Sequence, residues 1–176
     1  TKNIIGGDCS LCEKGFEYRE KLHEFIKKDI NGDFIIFTSC LKRTKITAEL
    51  FTEKKIESRL LNEIHGGICE NMSYEKIENE HPEIFFERNK DKLKFRYPEG
   101  ESYIDLLERL RYFVLQLNSY RKPILIVAHN AIIKVLLGYF QEIPHNEMPH
   151  INVNLHEVIK LTPNSKNYLV DKVKLL

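Results

Sequence analysis

Two short runs of uninterrupted apolar residues, Phe34-Ile35-Ile36-Phe37 and Ile124-Leu125-Ile126-Val127, constrain this chain more than any other feature. A continuous apolar run, rather than an alternating one, marks a strand covered on both faces, the usual state of a parallel sheet between helices. The segments around the runs have helical periodicity. Lys14 to Asp29 carries Phe16, Leu22, Phe25 and Ile26 among charges, and Asn31-Gly32-Asp33 breaks it. Thr38 and Ser39 end the first strand, and a helix is expected from about Leu41, carrying Arg43, Ile46, Ala48, Leu50 and Phe51. The clearest helix runs from Ser102 to about Tyr120. Ser102 is a natural N-cap with Asp105 at the third helical position, and Ile104, Leu107, Leu110, Phe113, Val114 and Leu117 form one stripe. Ala131 to Phe140 reads as a buried helix, and two strands, about 157–161 and 168–173, close the chain. Residues 57–69 are irregular, with His65-Gly66-Gly67 a loop. Strands alternating with helices predict an α/β fold, a single domain over 1–176 with a mainly parallel sheet flanked by helices.

Composition narrows the function classes. A formal net charge of +1 gives no bulk attraction for nucleic acid, so recognition of a charged ligand must come from a local cluster. No stretch approaches the roughly 20 apolar residues that span a bilayer, and no signal-peptide pattern opens the chain. Of the four cysteines, Cys9 and Cys12 form a C-x-x-C. No second such pair or spaced histidine pair completes a zinc site, so the thiols read as reduced and incidental, in a cytoplasmic protein. No metal or other cofactor is expected. The chain opens at Thr1 and runs almost at once into Gly6-Gly7, which reads as the middle of a longer protein.

Topology alone suggests where a ligand goes. In open α/β sheets, ligands bind beyond the carboxyl ends of the strands. Here those ends are Thr38-Ser39-Cys40-Leu41-Lys42-Arg43 and Ala128-His129-Asn130. An arginine and a histidine on neighbouring strand-to-helix turns would make an anion site, and phosphate fits the arginine fork bidentately. The plainer alternative is a solvated Arg43 and a buried, satisfied His129.

Several segments carry a more specific signal. Leu61-Asn62-Glu63-Ile64 followed by Gly67, Phe95-Arg96-Tyr97-Pro98-Glu99-Gly100-Glu101-Ser102-Tyr103, and Ala128-His129-Asn130-Ala131 resemble successive motifs of the bisphosphatase domain in the 6-phosphofructo-2-kinase/fructose-2,6-bisphosphatase family. Ile5-Gly6-Gly7-Asp8, the run Ser39 to Thr44, and Leu155-His156 through Leu161-Thr162-Pro163 resemble it as well, in order along nearly the whole chain. The resemblance implies a phosphoglycerate mutase-like fold and hydrolysis of the 2-phosphate of fructose 2,6-bisphosphate through a phosphohistidine. By the same resemblance Arg43 would clamp the transferring phosphoryl group, Glu63 would protonate the departing sugar oxygen, and His129 would steady charge on the phosphoryl oxygens. Ile5, Gly6, Gly7, Tyr74, Arg88, Lys92, Tyr103, Asn130 and Lys134 would bind the phosphorylated sugar. Partners implied are that substrate, an N-terminal kinase domain in the parent chain and a homodimer, with no nucleic acid and no membrane.

The departures are equally specific. The family's nucleophile is a histidine in an R-H-G motif just upstream of I-G-G-D, and none of the seven histidines here has that context. The nucleophile is therefore expected upstream of Thr1, and the chain alone is expected to be inactive. Ile4 stands where the family has arginine, Asn130 where it has glutamine, and Lys134 where it has arginine, which exchanges a fork for a point charge. His65 occupies a usual aspartate position, and as a cation it would lower the pKa of Glu63. Two alternatives remain open: a related histidine phosphatase or mutase acting on another phosphoester, and an inactive sugar-phosphate-binding domain.

Overall fold

The computed structural model describes residues 4–165 and 167–176. Helix α1 (Glu13–Asp29) leads into strand β1 (Ile35–Thr38), the short helix α2 (Lys42–Thr47) and strand β2 (Lys55–Glu57). Two 3-10 turns (Arg59–Leu61 and Gly67–Cys69) precede helices α3 (Tyr74–Glu80), α4 (Pro82–Lys90) and α5 (Tyr103–Leu117). Strand β3 (Ile124–Val127), helix α6 (Asn130–Phe140), a 3-10 turn (Met148–His150) and strands β4 (Glu157–Pro163) and β5 (Tyr168–Lys174) complete the order.

The central sheet has the order β2-β1-β3 and is parallel throughout, whereas β4 and β5 form a separate antiparallel pair. The alternating direction of side chains along β1 explains why both its faces are covered. Phe37 joins Phe113 and Leu110 of α5 and Ile132 and Val135 of α6, while Ile36 joins Leu22 and Ile26 of α1 and Phe51. Ring contacts fix the first of these layers, with Phe37 edge-on to Phe113 at 5.3 Å and to Tyr120 at 5.4 Å.

β3 differs from expectation. Its four apolar residues are only half-buried, and among the described residues it pairs with β1 alone. Leu125 and Val127 of β3 and Val158 of β4 nevertheless pack on the same apolar cluster under α1. The helix expected from about Leu41 and carrying residues to Phe51 is shorter, ending at Thr47 with Ala48 as its C-cap, because residues 48–50 form a turn that leads toward β2. The helix expected from Ser102 to about Tyr120 forms but ends at Leu117, and its buried face carries Tyr103 and Leu106 with Leu110, Phe113 and Val114, leaving Ile104 and Leu107 of the expected stripe half-buried. Ser102 and Asp105 make a reciprocal capping box, with Ser102 Oγ accepting from the Asp105 N–H and Asp105 Oδ2 accepting from the Ser102 N–H. None of the helices described is long and apolar enough to cross a membrane.

One glycine joins the loops that approach the sheet's carboxyl end. Gly67 has φ +55°, and a Cβ there would lie 1.8 Å from the Pro98 carbonyl oxygen. The close approach allows the backbone bonds Ile68 N–H to Pro98 O (3.1 Å) and Glu101 N–H to His65 O (2.8 Å).

Truncating Phe37 tests how far the layer between β1 and α5 carries the fold. Phe37→Ala is expected to lower the unfolding free energy by about 3–5 kcal/mol, measured by urea denaturation.

Candidate active site

The register of the parallel pair sets the site. Thr38 lies opposite Val127, so the turns that follow β1 and β3 emerge side by side. Arg43, at the start of α2, and His129, the N-cap of α6, therefore meet: Arg43 Nε donates to His129 Nδ1 at 3.1 Å. A guanidinium only donates, so Nδ1 carries the lone pair and Nε2 carries the hydrogen. Nε2 then donates to Ser39 Oγ at 2.7 Å. The Leu41 N–H also donates to Ser39 Oγ, at 3.1 Å, which directs the serine hydrogen to Thr44 Oγ1 at 2.7 Å. Thr44 in turn donates to the Leu41 carbonyl at 2.9 Å. Thr44 Oγ1 also lies 3.2 Å from the Ser39 carbonyl, a second acceptor for its hydrogen. His129 is pushed down to about 3 by burial first, then by Arg43 and Arg109, so it is neutral near pH 7.

The Ile5-Gly6-Gly7-Asp8 segment, whose first three residues are expected to bind the phosphorylated sugar, is tied to this cluster. Arg43 Nη1 donates to the Gly7 carbonyl at 2.6 Å, and the Lys42 N–H donates to Asp8 Oδ1 at 2.7 Å. Glu70 spans the neighbouring loops, accepting from the N–H groups of Gly7 (2.7 Å) and Gly66 (2.6 Å).

Glu63 lies just beyond the Arg59–Leu61 turn. Burial raises its pKa; the N–H groups of Ile64 and Ala131 and the charges of Arg43 and Arg109 oppose the rise without cancelling it. Such a carboxyl keeps its proton to higher pH than an ordinary glutamate and can donate it. His65 is exposed, and its Nδ1 accepts from the Gly67 N–H at 3.2 Å.

A cavity of ≈ 660 Å³ opens beside Glu63. Ile5, Gly6, Tyr74, Arg88, Lys92, Tyr103, Asn130 and Lys134 all border it, with Ile4 at its margin. Gly7, Arg43 and His129 do not line it; they form the adjoining polar cluster. Arg88 donates by Nε to Tyr97 Oη at 2.6 Å, by Nη2 to Tyr74 Oη at 2.9 Å and by Nη1 to Asn89 Oδ1 at 3.4 Å, and its guanidinium sits 4.5 Å from the Tyr74 ring centre. Burial raises the Tyr103 pKa, as it does that of Tyr97, which reaches about 12. Lys92 falls to about 8, through burial and then the charges of Lys134 and Arg88. Lys134 is lowered by burial and Arg88. Among the described residues none of these three cations has a carboxylate ion-pair partner. Asn130 Nδ2 donates to the Val153 carbonyl at 3.3 Å.

Motif and spacing did not single out Arg109, Ser39 or Tyr97. Arg109 of α5 pairs with Glu101 (Nε to Oε1, 2.9 Å) and donates to the carbonyls of Leu60, Asn62 (2.7 Å) and Glu63 (3.4 Å). It thereby fastens the loop that carries Glu63 to a core helix. The four cysteines are free, with Cys9 and Cys12 exposed. No group of three or more His, Cys, Asp or Glu among the described residues is arranged to hold a metal ion.

The chain matches the histidine phosphatase superfamily (branch 1) over residues 3–175. It belongs to that family. Among curated proteins it is 39% identical to a fructose-2,6-bisphosphatase of Saccharomyces cerevisiae, over 97% of this chain and 38% of the relative. It is 38% identical to a 6-phosphofructo-2-kinase/fructose-2,6-bisphosphatase of Gallus gallus, over 99% of this chain and 37% of the relative. The chain thus spans less than two fifths of the length of either. An alpha-ribazole phosphatase from Shigella flexneri shares the fold, with a TM-score of 0.85 and 22% identity over 98% of this chain and 88% of that one. That histidine phosphatase fold agrees with the α/β, phosphoglycerate mutase-like architecture expected from the sequence.

Two measurements probe the site itself. Nitrogen-15 NMR of the His129 ring is expected to show a protonated Nε2 and a bare Nδ1, and Arg43→Met, which removes the donor to Nδ1, should mix the two tautomers. Binding of a phosphomonoester should weaken as pH rises through about 8, where Lys92 loses its charge. A calorimetric pH series on Lys92→Met should lack that step.

Proposed function

We propose that the protein containing this chain hydrolyses the 2-phosphate of fructose 2,6-bisphosphate, and that residues 1–176 belong to its phosphatase domain. One observation carries the reading: a carboxyl whose pKa burial raises borders the same cavity as three cations that, among the described residues, have no carboxylate ion-pair partner. An anion is the missing charge in such a cavity, and a proton donor beside it serves a poor leaving group. The names of the relatives point to the sugar bisphosphate.

In this reading Arg88, Lys92 and Lys134 bind the phosphate that is retained, with Tyr74 and Tyr103 beside them. Ile5, Gly6, Gly7 and Asn130 shape the approach to the reacting phosphoryl group, which Arg43 and His129 hold. A histidine nitrogen attacks phosphorus and the bond to the sugar O2 breaks. Glu63 gives its proton to that oxygen, leaving phosphohistidine and fructose 6-phosphate. Water then attacks phosphorus, Glu63 takes back a proton, and phosphate leaves. His129 already donates to Ser39 through Nε2, so it would take a second proton at Nδ1 to donate to a phosphoryl oxygen. The anion favours that step by offsetting the nearby positive charge.

The nucleophile is assigned to a strand outside these 176 residues, which contain no Arg-His-Gly. Three features of the sheet support this: half-buried apolar residues on β3, a single paired edge, and β3 and β4 flanking one apolar cluster. A strand laid along β3 would end beside His129. The bifunctional name of the Gallus gallus relative supports a kinase region in the whole protein, for which a cytoplasmic location is proposed.

Glu63→Gln in the whole protein should lower kcat for fructose 2,6-bisphosphate by about 10²–10⁴-fold, with KM little changed. Steady-state assays of phosphate release decide it. Undiminished turnover would remove Glu63 from the chemistry and the reading with it.

A further inference from the structure

The turn Met148–His150 is built into the cationic side of the cavity, although it contributes no charged group to it. Pro149 is fully buried and Met148 nearly so. Met148 rests on Gly138 of α6, where an added Cβ would lie 2.4 Å from its Cγ, 2.6 Å from its Sδ and 2.7 Å from its Cε. Glycine inside a helix costs about 1 kcal/mol relative to alanine. Here the close approach of the methionine gives it a reason. The seated turn presents one carbonyl, Pro149 O, to two ammonium groups: Lys92 Nζ at 2.9 Å and Lys134 Nζ at 3.1 Å.

Those two distances hold the like charges within about 6 Å of each other, on a neutral acceptor. Left unrestrained, two such ammonium groups would separate to reduce their repulsion. The segment after the turn is pinned as well, since Lys172 Nζ donates to the Asn152 carbonyl at 3.0 Å and Asn130 Nδ2 to the Val153 carbonyl.

We propose that residues 148–150 are a specificity-setting brace: Met148, seated on Gly138, fixes the Pro149 carbonyl that keeps Lys92 and Lys134 converged for one phosphate group. The brace rests on the reading of this cavity as a sugar-phosphate site. It adds that the spacing of the two lysines is set from α6, at a residue that does not line the cavity. Gly138 and Met148 are positioning residues and touch no substrate.

Gly138→Ala in the whole protein tests the brace with two readouts. KM for fructose 2,6-bisphosphate should rise about tenfold, roughly the loss of one charge-assisted hydrogen bond, and by more than any fall in kcat. The Lys92 ammonium, followed by carbon NMR of its ε position, should titrate higher than in the unsubstituted protein, because Lys134 is no longer held beside it. Should Gly138→Ala fail to fold, Met148→Ala alone is expected to raise KM and shift the Lys92 titration in the same direction. Unchanged KM and unchanged Lys92 titration in folded variants would overturn the brace. An unsubstituted protein that neither hydrolyses fructose 2,6-bisphosphate nor binds fructose 6-phosphate would instead overturn the substrate reading, and the Lys92 titration would still decide the brace.

Discussion

The parallel pairing of β1 with β3 is the constraint on which the rest of this structure depends. Four backbone pairs, ending at Thr38 opposite Val127, bring two turns together that are 90 residues apart in the chain. A slip of one residue would invert the faces of four apolar side chains and move His129 away from Arg43. The register is therefore enforced by burial. Phe37 must enter the layer under α5, and Ile36 the layer under α1. The polar cluster takes its geometry from an apolar requirement.

Within that frame the site divides its charges. The cluster around His129 is satisfied internally, and the imidazole is kept neutral by burial and two nearby guanidinium groups. The cavity beside it is the opposite case, with Arg88, Lys92 and Lys134 gathered on phenolic and carbonyl oxygens alone. Neutral acceptors offset part of the desolvation cost of a cation but leave its field intact. An arrangement of this kind attracts an anion more strongly than one already neutralised by carboxylates.

Much of this was legible in the sequence, for reasons that can be located. The buried strands announced themselves because a parallel strand covered on both faces cannot alternate, and the capping box of α5 because Ser102 and Asp105 have the needed spacing. Helices α3 and α4 were not read. Each buries a single residue, Ile77 or Ile84, too little periodicity to see among charges, and His81 serves as the cap between them. Half-burial of β3 escaped notice because apolar content reports what a strand's faces prefer, not how many neighbours its edges have. Ser39 and Arg109 were missed for another reason. A serine at a strand end and an arginine on an amphipathic helix are both ordinary. Only the fold reveals that one accepts the His129 Nε2 hydrogen and the other fastens a loop. The likeness of His65 to a position beside the acid did not show that its side chain turns outward to the Gly67 N–H.

Arg109 makes the more general point about how such a site is held. The loop bearing Glu63 has little regular structure, and Glu63 itself sits in none, so helix or sheet bonding cannot place its carboxyl. Placement comes instead from outside the loop. A guanidinium on α5 takes the carbonyls of Leu60, Asn62 and Glu63, while Glu101 takes both Arg109 and the His65 N–H. Lysine has a single point of attachment and no fork, so it cannot span these acceptors. The backbone contact at Gly67 and Pro98 closes the same loop from the other side. A raised carboxyl pKa requires that water be kept from Glu63, and that exclusion lasts only while the loop stays down. The raised pKa of the acid thus depends on how α5 grips the backbone around it.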